Sequence, residues 1–254
     1  MKRLHVMLLG VLTILIIIVS LVMTLTESVP MTSDVRSLGL FYLENSYFGD
    51  YSARSPEVVT SILWDYRGLD TLFETGVFFL AIISALALFR IERKEETPEV
   101  KGTDLTFIVK DTVRIISVLI VAVSAAIALH GHLTPGGGFQ GGSALAVVPL
   151  LVIVAFSKYA LEAKGLTKDS AMVLRSIGLI SIVILVLIPL IFGGYLMQNM
   201  PIFPSHILGQ LTSGSLVFYN LFEYIAVGAG FTAVFLLLSI PEKVFRRILG
   251  GENQ

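Results

Sequence analysis

The stretch that decides the fold is Val173–Gly194, which has the sequence VLRSIGLISIVILVLIPLIFGG. It holds one charged residue, Arg175, and it has the length of about 20 residues that a helix needs to cross the hydrocarbon core of a membrane. Outward from it, the chain contains five further apolar blocks, at Leu4–Leu25, Leu69–Phe89, Thr112–Leu129, Gly142–Ser157 and Leu216–Ile240. The sequence therefore predicts an all-α integral membrane protein of about six transmembrane helices.

The composition agrees with this class and excludes several others. Hydrophobic residues make up 55% of the 254 residues and charged residues 15%, whereas about a quarter of a soluble domain is charged. The formal net charge of −1 favours no nucleic-acid partner. The chain has no cysteine, which excludes disulfides, cysteine-bound zinc and cysteine-bound iron–sulfur clusters. We therefore expect no cofactor, no metal and no catalytic centre in this chain, and we place any redox chemistry in another subunit.

The basic residues predict how the chain lies in the membrane. Met1-Lys2-Arg3 precedes an apolar run that is longer than a typical signal-peptide core and has no cleavage site, so we expect a retained first helix. One set of alternating loops and helix ends is rich in lysine and arginine: Lys2, Arg3, Arg90, Arg93, Lys94, Lys101, Lys110, Arg114, Lys158, Lys164, Lys168, Arg175, Lys243, Arg246 and Arg247. The opposite set holds Arg36, Arg54 and Arg67. The positive-inside rule then predicts a multi-pass protein of the cytoplasmic membrane with both termini in the cytoplasm.

A charged linker divides the predicted spans into two groups. The sequence Arg-Lys-Glu-Glu-Thr-Pro at 93–98 is typical of a boundary between modules. We predict a two-helix module over residues 1–95, a cytoplasmic linker over 96–110 and a four-helix module over 111–254.

The most distinctive motif joins the third and fourth predicted spans. Its glycines permit close backbone approach, and Pro135 does not continue a helix. Non-helical backbone at this depth must be buried in protein or line a wet cavity. We therefore predict a structural turn over Gly131–Gly141 within the motif His130, Gly131, His132, Leu133, Thr134, Pro135, Gly136, Gly137, Gly138, Phe139, Gln140, Gly141 and Gly142.

Two nucleotide-binding interpretations of this motif fail. The glycine spacing matches a dinucleotide fingerprint, but no strand precedes it. The Lys-Ser/Thr pair of a P-loop is missing. His130 and His132 have no evident third metal ligand, so they fit either helix-end packing or a proton relay.

The second motif runs from Val58 to Glu74. Helical spacing predicts that Arg67, Asp70, Thr71 and Glu74 share one face. Glu74 lies roughly 7 Å inside the second span, where a carboxylate is costly unless it is paired, protonated or hydrated. Two roles remain open: an Arg67–Asp70–Glu74 network that locks the helix to a neighbour, or a part in cation or proton passage.

Glu223 is a second embedded acid, near the outer end of the sixth span. Tyr219 and Tyr224 beside it suggest an interfacial belt, in which Glu223 reaches headgroup water. A functional role is the alternative. The predicted topology places Glu74, Glu223 and His130 in the same leaflet, so they form one polar layer if their helices meet.

Both motifs resemble parts of the multisubunit Mrp-type cation/proton antiporters. The segment from about Lys110 to Leu238 resembles the MrpB (MnhB) family through its four-span layout and the string from His130 to Gly142. The segment from about Leu38 to Phe89 is similar to the C-terminal end of the large MrpA protein and to the small E-type membrane protein of archaeal membrane-bound hydrogenases. The second likeness is carried by the runs Tyr42–Ser46, Val58–Val59 and Asp65–Leu72.

The chain departs from the family pattern at two positions. Phe73 stands where the family usually has glycine, so close helix approach is not expected there. Glu57 stands where asparagine is common, and the two modules are joined in one chain, whereas relatives often encode them separately.

The resemblance implies a partner role in a larger assembly. It implies a subunit of a Mrp-type sodium/proton antiporter module in a complex related to respiratory complex I, with Na⁺ and H⁺ as transported ions. The implied partners are the lipid bilayer, other Mrp-type subunits and hydrogenase-like or sulfur-reductase-like redox subunits. The alternative is a scaffold that braces the membrane arm of a ferredoxin-driven hydrogenase or sulfur-reducing complex and moves no ions.

Overall fold

The structure is a computed structural model, and it describes residues 2–26, 35–49, 52–88 and 105–239. The chain divides into two units, residues 1–41 and 42–254. The first unit contains α1, Lys2–Leu25, and the start of α2, Ser37–Asn45. Helix α1 occupies the first predicted span, and Gly10–Leu25 is its apolar part.

The second unit contains the long helices. Among the described residues, five helices are long and apolar enough to cross a membrane: α4 (Gly68–Leu88), α5 (Phe107–Leu129), α6 (Gly138–Ala155), α8 (Lys168–Ile191) and α9 (Leu216–Leu238). The shorter elements are α3 (Val58–Ser61), a π-helical turn (Ile62–Tyr66), α7 (Lys158–Glu162) and an antiparallel hairpin of β1 (His206–Ile207) and β2 (Gln210–Leu211). These helices confirm the predicted helical membrane class and five of the predicted spans.

Helix α9 is the centre of the second unit. Half of the residues in an apolar 18-residue stretch of α9 are buried, against 17% for a stretch of the same length in α4 and in α5. Small residues explain this position, because Ala226, Gly228, Gly230 and Ala233 let neighbouring helices approach closely. Helices α6 and α8 pack along α9, α5 packs on α6, and α4 contacts α9.

Helices α5, α6 and α8 each begin four or five residues earlier than the sequence predicted. Helix α8 starts at Lys168 rather than Val173, because Thr167 and Ser170 form a reciprocal capping box. Arg175, which we assigned to a cytoplasmic helix end, therefore lies inside α8 and is buried. Helix α6 starts at Gly138, so the predicted turn over Gly131–Gly141 was too long, and its last four residues form the first helical turn.

The predicted linker lies mostly outside the described residues, as do residues 89–95, so the division into modules stays a prediction.

The orientation of the chain in the membrane also stays a prediction, and cysteine labelling tests it. Leu208 at the hairpin turn is 98% exposed, and Ala163 is exposed just after α7. We expect Leu208→Cys to react with an impermeant thiol reagent from outside and Ala163→Cys to react from inside. The cysteine-free parent chain is the control, and the reverse pattern would overturn the orientation.

Candidate functional site

A cavity of about 280 Å³ lies where the π-helical turn, α4, α6 and α9 meet. It brings together two carboxylates from different helices, Glu74 of α4 and Glu223 of α9. Further polar side chains line it: Thr60, Thr71, Thr75, Gln140 and Asn220. Both carboxylates therefore line one cavity between membrane-length helices.

Glu223 is held by the start of α6. Its side chain is buried, and its Oε2 accepts a hydrogen bond of 3.1 Å from the backbone N–H of Phe139. One turn earlier on α9, Asn220 Oδ1 accepts a bond of 3.4 Å from the N–H of Gly138. The free N–H groups and the dipole at a helix N-terminus stabilise negative charge. The start of α6 therefore offsets part of the cost of burying the Glu223 carboxylate.

The glycines of the motif make this contact possible. Gly137 has φ +144°, a left-handed conformation that glycine adopts without steric cost. A Cβ at Gly138 would lie 2.6 Å from the Cβ of Glu223, and one at Gly142 would lie 2.8 Å from the carbonyl oxygen of Tyr224. The missing side chains thus let α6 lie directly against α9 at the level of Glu223.

Glu74 lies on the open flank of the cavity and is exposed in this chain. Thr71 and Thr75 lie beside it on α4, and the Thr75 hydroxyl donates to the Thr71 carbonyl at 2.9 Å. Two buried polar atoms of the cavity residues, Thr71 Oγ1 and Asn220 Nδ2, have no hydrogen-bond partner in the described part of the chain. Buried polar groups are normally satisfied, so these atoms favour a polar occupant such as water or a hydrated ion.

The face predicted for Arg67, Asp70, Thr71 and Glu74 is divided in the structure. Thr71 and Glu74 line the cavity. Arg67 pairs with Asp70 through Nε at 2.7 Å, and both side chains are largely exposed on another surface. Arg67 ends the π-helical turn with φ −127° and ψ 33°, so it is out of register with α4. Of the predicted Arg67–Asp70–Glu74 network, the structure therefore contains the Arg67–Asp70 pair, and Glu74 is not bonded to it.

A second pocket, of about 650 Å³, includes Asp65, Arg67, Asp70 and Asn199. Adjacent side chains of the π-helical turn point into different pockets: Trp64 lines the cavity and Asp65 lines the second pocket. Trp64 stacks on Tyr219 with a centroid distance of 4.5 Å and an interplanar angle of 3°. Burial raises the pKa of Asp65 from 3.8 to about 6.

Replacing Asp65 gives a pH-dependent prediction. Because its pKa is raised on folding, ionisation of Asp65 opposes the folded state, with a cost that grows from pH 4 to pH 6 and stays constant above. We expect Asp65→Asn to stabilise the assembled protein at pH 8 by about 2 kcal/mol, and to have little effect at pH 4. Thermal unfolding at the two pH values measures the difference. An equal effect of the substitution at both would contradict the prediction.

Comparisons with known proteins agree with this architecture. Residues 108–233 match the family described as a domain related to the MnhB subunit of Na⁺/H⁺ antiporter. One chain of the membrane-bound sulfane sulfur reductase, an archaeal respiratory membrane complex, is 30% identical with a TM-score of 0.69. The match covers 91% of this chain and 97% of that one. This chain belongs to the MnhB-related family.

Other matches extend the likeness beyond the MnhB-related domain. An uncharacterized protein of Methanocaldococcus jannaschii is 28% identical over 223 residues, 78% of this chain and 83% of that protein. Na⁺/H⁺ antiporter subunit A1 of Staphylococcus haemolyticus is 34% identical over 77 residues, 26% of this chain and 10% of the subunit. The Mrp complex from Dietzia sp. DQ12-45-1b contains a chain with a TM-score of 0.64 at 21% identity, covering 91% of this chain and 26% of that one, and it shows a shared fold.

The two histidines of the glycine-rich motif, His130 and His132, do not line the cavity. His130 is exposed, and its Nδ1 lies 3.0 Å from the carbonyl oxygen of Ala126. His132 is buried, its Nε2 lies 2.8 Å from the carbonyl oxygen of Leu211, and burial is the main cause that lowers its pKa. Within the described ranges, no group of three or more His, Cys, Asp or Glu residues is placed to hold a metal ion. Of the predicted layer, Glu74 and Glu223 come together and His130 does not join them.

The loop before α6 also fastens the segment around α3. The Thr60 hydroxyl donates to the Gly131 carbonyl at 2.6 Å, and the Ser55 hydroxyl donates to the His132 carbonyl at 2.5 Å. The N–H of Glu57 donates to the same His132 carbonyl at 3.4 Å. These bonds join the two stretches that carry the two sequence motifs.

Sequence reasoning missed several residues of the MnhB-related site. Asn220 could have been found, because it precedes Glu223 by three residues and so shares its helical face. Thr75 follows Thr71 by four residues and gives the same signal. Arg175 does not line the cavity, and its burial could not be predicted from the sequence, because it depends on which helices pack around it.

Proposed function

We propose that this MnhB-related chain is a membrane-arm subunit of a Mrp-type Na⁺/H⁺ exchange module in a complex-I-related assembly, and that it contributes to ion translocation. One observation carries the proposal: Glu74 and Glu223 line the same membrane-embedded cavity. An embedded carboxylate is costly unless it binds a cation, takes up a proton or contacts water.

The chemistry of the cavity supports exchange. Two carboxylates that share a site do not both remain ionised at low cost unless a positive charge lies between them. A sodium ion and a proton can each supply that charge, so they compete for the same pair. Hydroxyl and amide oxygens of Thr71, Asn220 and Gln140 add the oxygen ligands that hard cations prefer. Occupation by one ion then displaces the other, which is the elementary step of an antiporter.

The open flank of the cavity supports a partner at Glu74. Phe73, Val77 and Leu80 on α4 are exposed, and Glu74 lies among them. A carboxylate does not face lipid hydrocarbon at low cost, so another subunit or a water-filled space must cover this flank. We propose Mrp-type antiporter subunits as the partners, and hydrogenase-like or sulfur-reductase-like subunits where the assembly is redox-driven.

The runner-up is a scaffold that moves no ions. The buried hydrogen bonds from Ser55 and Thr60 to the loop before α6 favour the scaffold, because they fix the α3 segment rigidly to that loop. A scaffold needs correct packing at Glu223 but not its charge, so the two proposals differ in what neutralisation of Glu223 does.

Glu223→Gln tests the proposal. The amide oxygen of glutamine can still accept the bond from Phe139 N–H, whereas the charge is lost. We expect normal assembly and a loss of sodium-dependent proton movement in vesicles of about tenfold or more. Glu162→Gln on exposed α7 is the matched control. Wild-type exchange in an assembled Glu223→Gln complex would favour the scaffold.

A further inference from the structure

Arg175 is a buried positive charge inside α8. The residue is 1% exposed and lies seven residues after the first residue of the helix, about 10 Å along its axis. Its Nη2 donates to the carbonyl oxygen of Phe79 on α4 at 2.6 Å, and its Cζ lies 4.1 Å from the centroid of the Phe79 ring. The guanidinium thus lies against α4, among membrane-length helices.

The charge of Arg175 has no carboxylate partner among the described residues. A neutral donor could make the bond to the Phe79 carbonyl without the cost of a buried charge. Embedded arginines are expensive and are functional candidates by default. The positive charge itself therefore needs an explanation.

The position of Arg175 relative to the cavity suggests a reason for the buried positive charge. Phe79 follows Glu74 by five residues, about 7.5 Å along α4. On α9, Gly230 follows Glu223 by seven residues, about 10 Å, and a Cβ there would lie 3.4 Å from Arg175 Cδ. Arg175 therefore lies next to both helices that carry the carboxylates, displaced from the cavity toward their C-terminal ends.

We propose that Arg175 is a fixed positive charge that closes the Glu74–Glu223 cavity to cations on this side. The charge distribution predicts that side to be cytoplasmic. The inference rests on the proposed function, since it requires cations in the cavity. A cation that moves from Glu74 toward the C-terminal end of α4 meets a like charge at low dielectric, so it must leave by the open flank or by the outer side. Arg175 thereby prevents a passive leak along α4 and α9.

The experiment measures passive sodium efflux from vesicles that contain the whole complex, without any driving gradient of protons. We expect Arg175→Gln to raise the efflux about tenfold. Phe79→Leu keeps the charge and removes the aromatic contact, so we expect it to leave efflux near the wild-type level. If Arg175 acts only by packing against the Phe79 ring, Phe79→Leu and Arg175→Gln should leak alike, and that result would overturn the proposal. The bond to the main-chain carbonyl of Phe79 persists in Phe79→Leu, so the pH dependence of Arg175→Lys tests the charge apart from that bond.

Arg175→Lys supplies a second, more conservative measurement. A buried lysine can lose its proton in the accessible pH range, whereas arginine stays charged. We expect sodium efflux through Arg175→Lys to rise from neutral to alkaline pH while wild-type efflux stays flat, and this comparison decides the matter if Arg175→Gln does not assemble. A flat profile for both overturns the proposal. Exchange assays on Glu74 variants judge the proposed function separately, because they do not measure passive efflux.

Discussion

Glu74→Gln is expected to abolish most sodium-linked proton movement in vesicles while leaving assembly normal. At an effective dielectric constant near 20, a cation about 4 Å from a carboxylate gains about 4 kcal/mol. Glutamine keeps the size and hydrogen-bonding capacity of Glu74 but neither binds a cation electrostatically nor carries a proton. We therefore expect exchange to fall on the order of a hundredfold.

Two further variants sharpen the test of Glu74. Glu74→Asp restores the charge at shorter reach, so it should regain part of the activity. Asp70→Asn removes a carboxylate one turn away whose side chain is 56% exposed and paired with Arg67. Surface pairs of this kind contribute about 1 kcal/mol or less, so Asp70→Asn should change exchange little. Full exchange by an assembled Glu74→Gln complex would remove Glu74 from the mechanism.

Gly138→Val is expected to cause the largest loss of assembled complex. The added Cβ would lie 2.6 Å from the Cβ of Glu223, where neither α6 nor α9 can yield without moving a helix. Overpacking of this kind costs about 1–3 kcal/mol or more, and here it also separates Glu223 from the N–H of Phe139. The yield of intact complex in mild detergent measures the effect.

The matched control for Gly138→Val is Gly10→Val on α1, where an added Cβ meets nothing within 4 Å and which lies away from the proposed partner flank of α4 in the sequence. His132→Ala is the second comparison, because it removes one bond to Leu211 and leaves the backbone of the motif unchanged. We expect Gly138→Val to damage assembly more than either. Equal yields for all three would show that close approach of α6 to α9 is not what the glycines provide.

The spans could be predicted from sequence because hydrocarbon thickness sets a length that the chain must meet. Val173–Gly194 needed no tertiary information to be recognised. The residues that line the cavity could not all be predicted from the local sequence pattern. Glu74 was identified because an embedded carboxylate is unusual, whereas Asn220 and Thr75 are neutral and become site residues only where α4 and α9 meet.

Local geometry explains why two sequence predictions, the shared face of Arg67 and Glu74 and the turn at Gly138, differ from the structure. Arg67 follows the π-helical turn with a non-helical backbone of φ −127° and ψ 33°, so the helical spacing does not extend from Glu74 back to Arg67, and these two side chains face different pockets. Glycine at 138 suggested a turn, because glycine is a weak helix former, but close packing on α9 overrides this preference. Neither effect has a signature in residue spacing alone.

The bonds that fasten the α3 segment to the loop before α6 have a consequence for how such chains can be encoded. Ser55 and Thr60 donate to carbonyl groups of the main chain at His132 and Gly131. A main-chain carbonyl is present whatever the side chain at its position, so these two bonds require only that the hydroxyl groups of Ser55 and Thr60 are kept. Covalent linkage of the two stretches adds a high effective concentration and no new contact. Two polypeptides with the same donors and the same loop could therefore form this junction after a gene is split, and joining the genes would remove the entropic cost of their encounter.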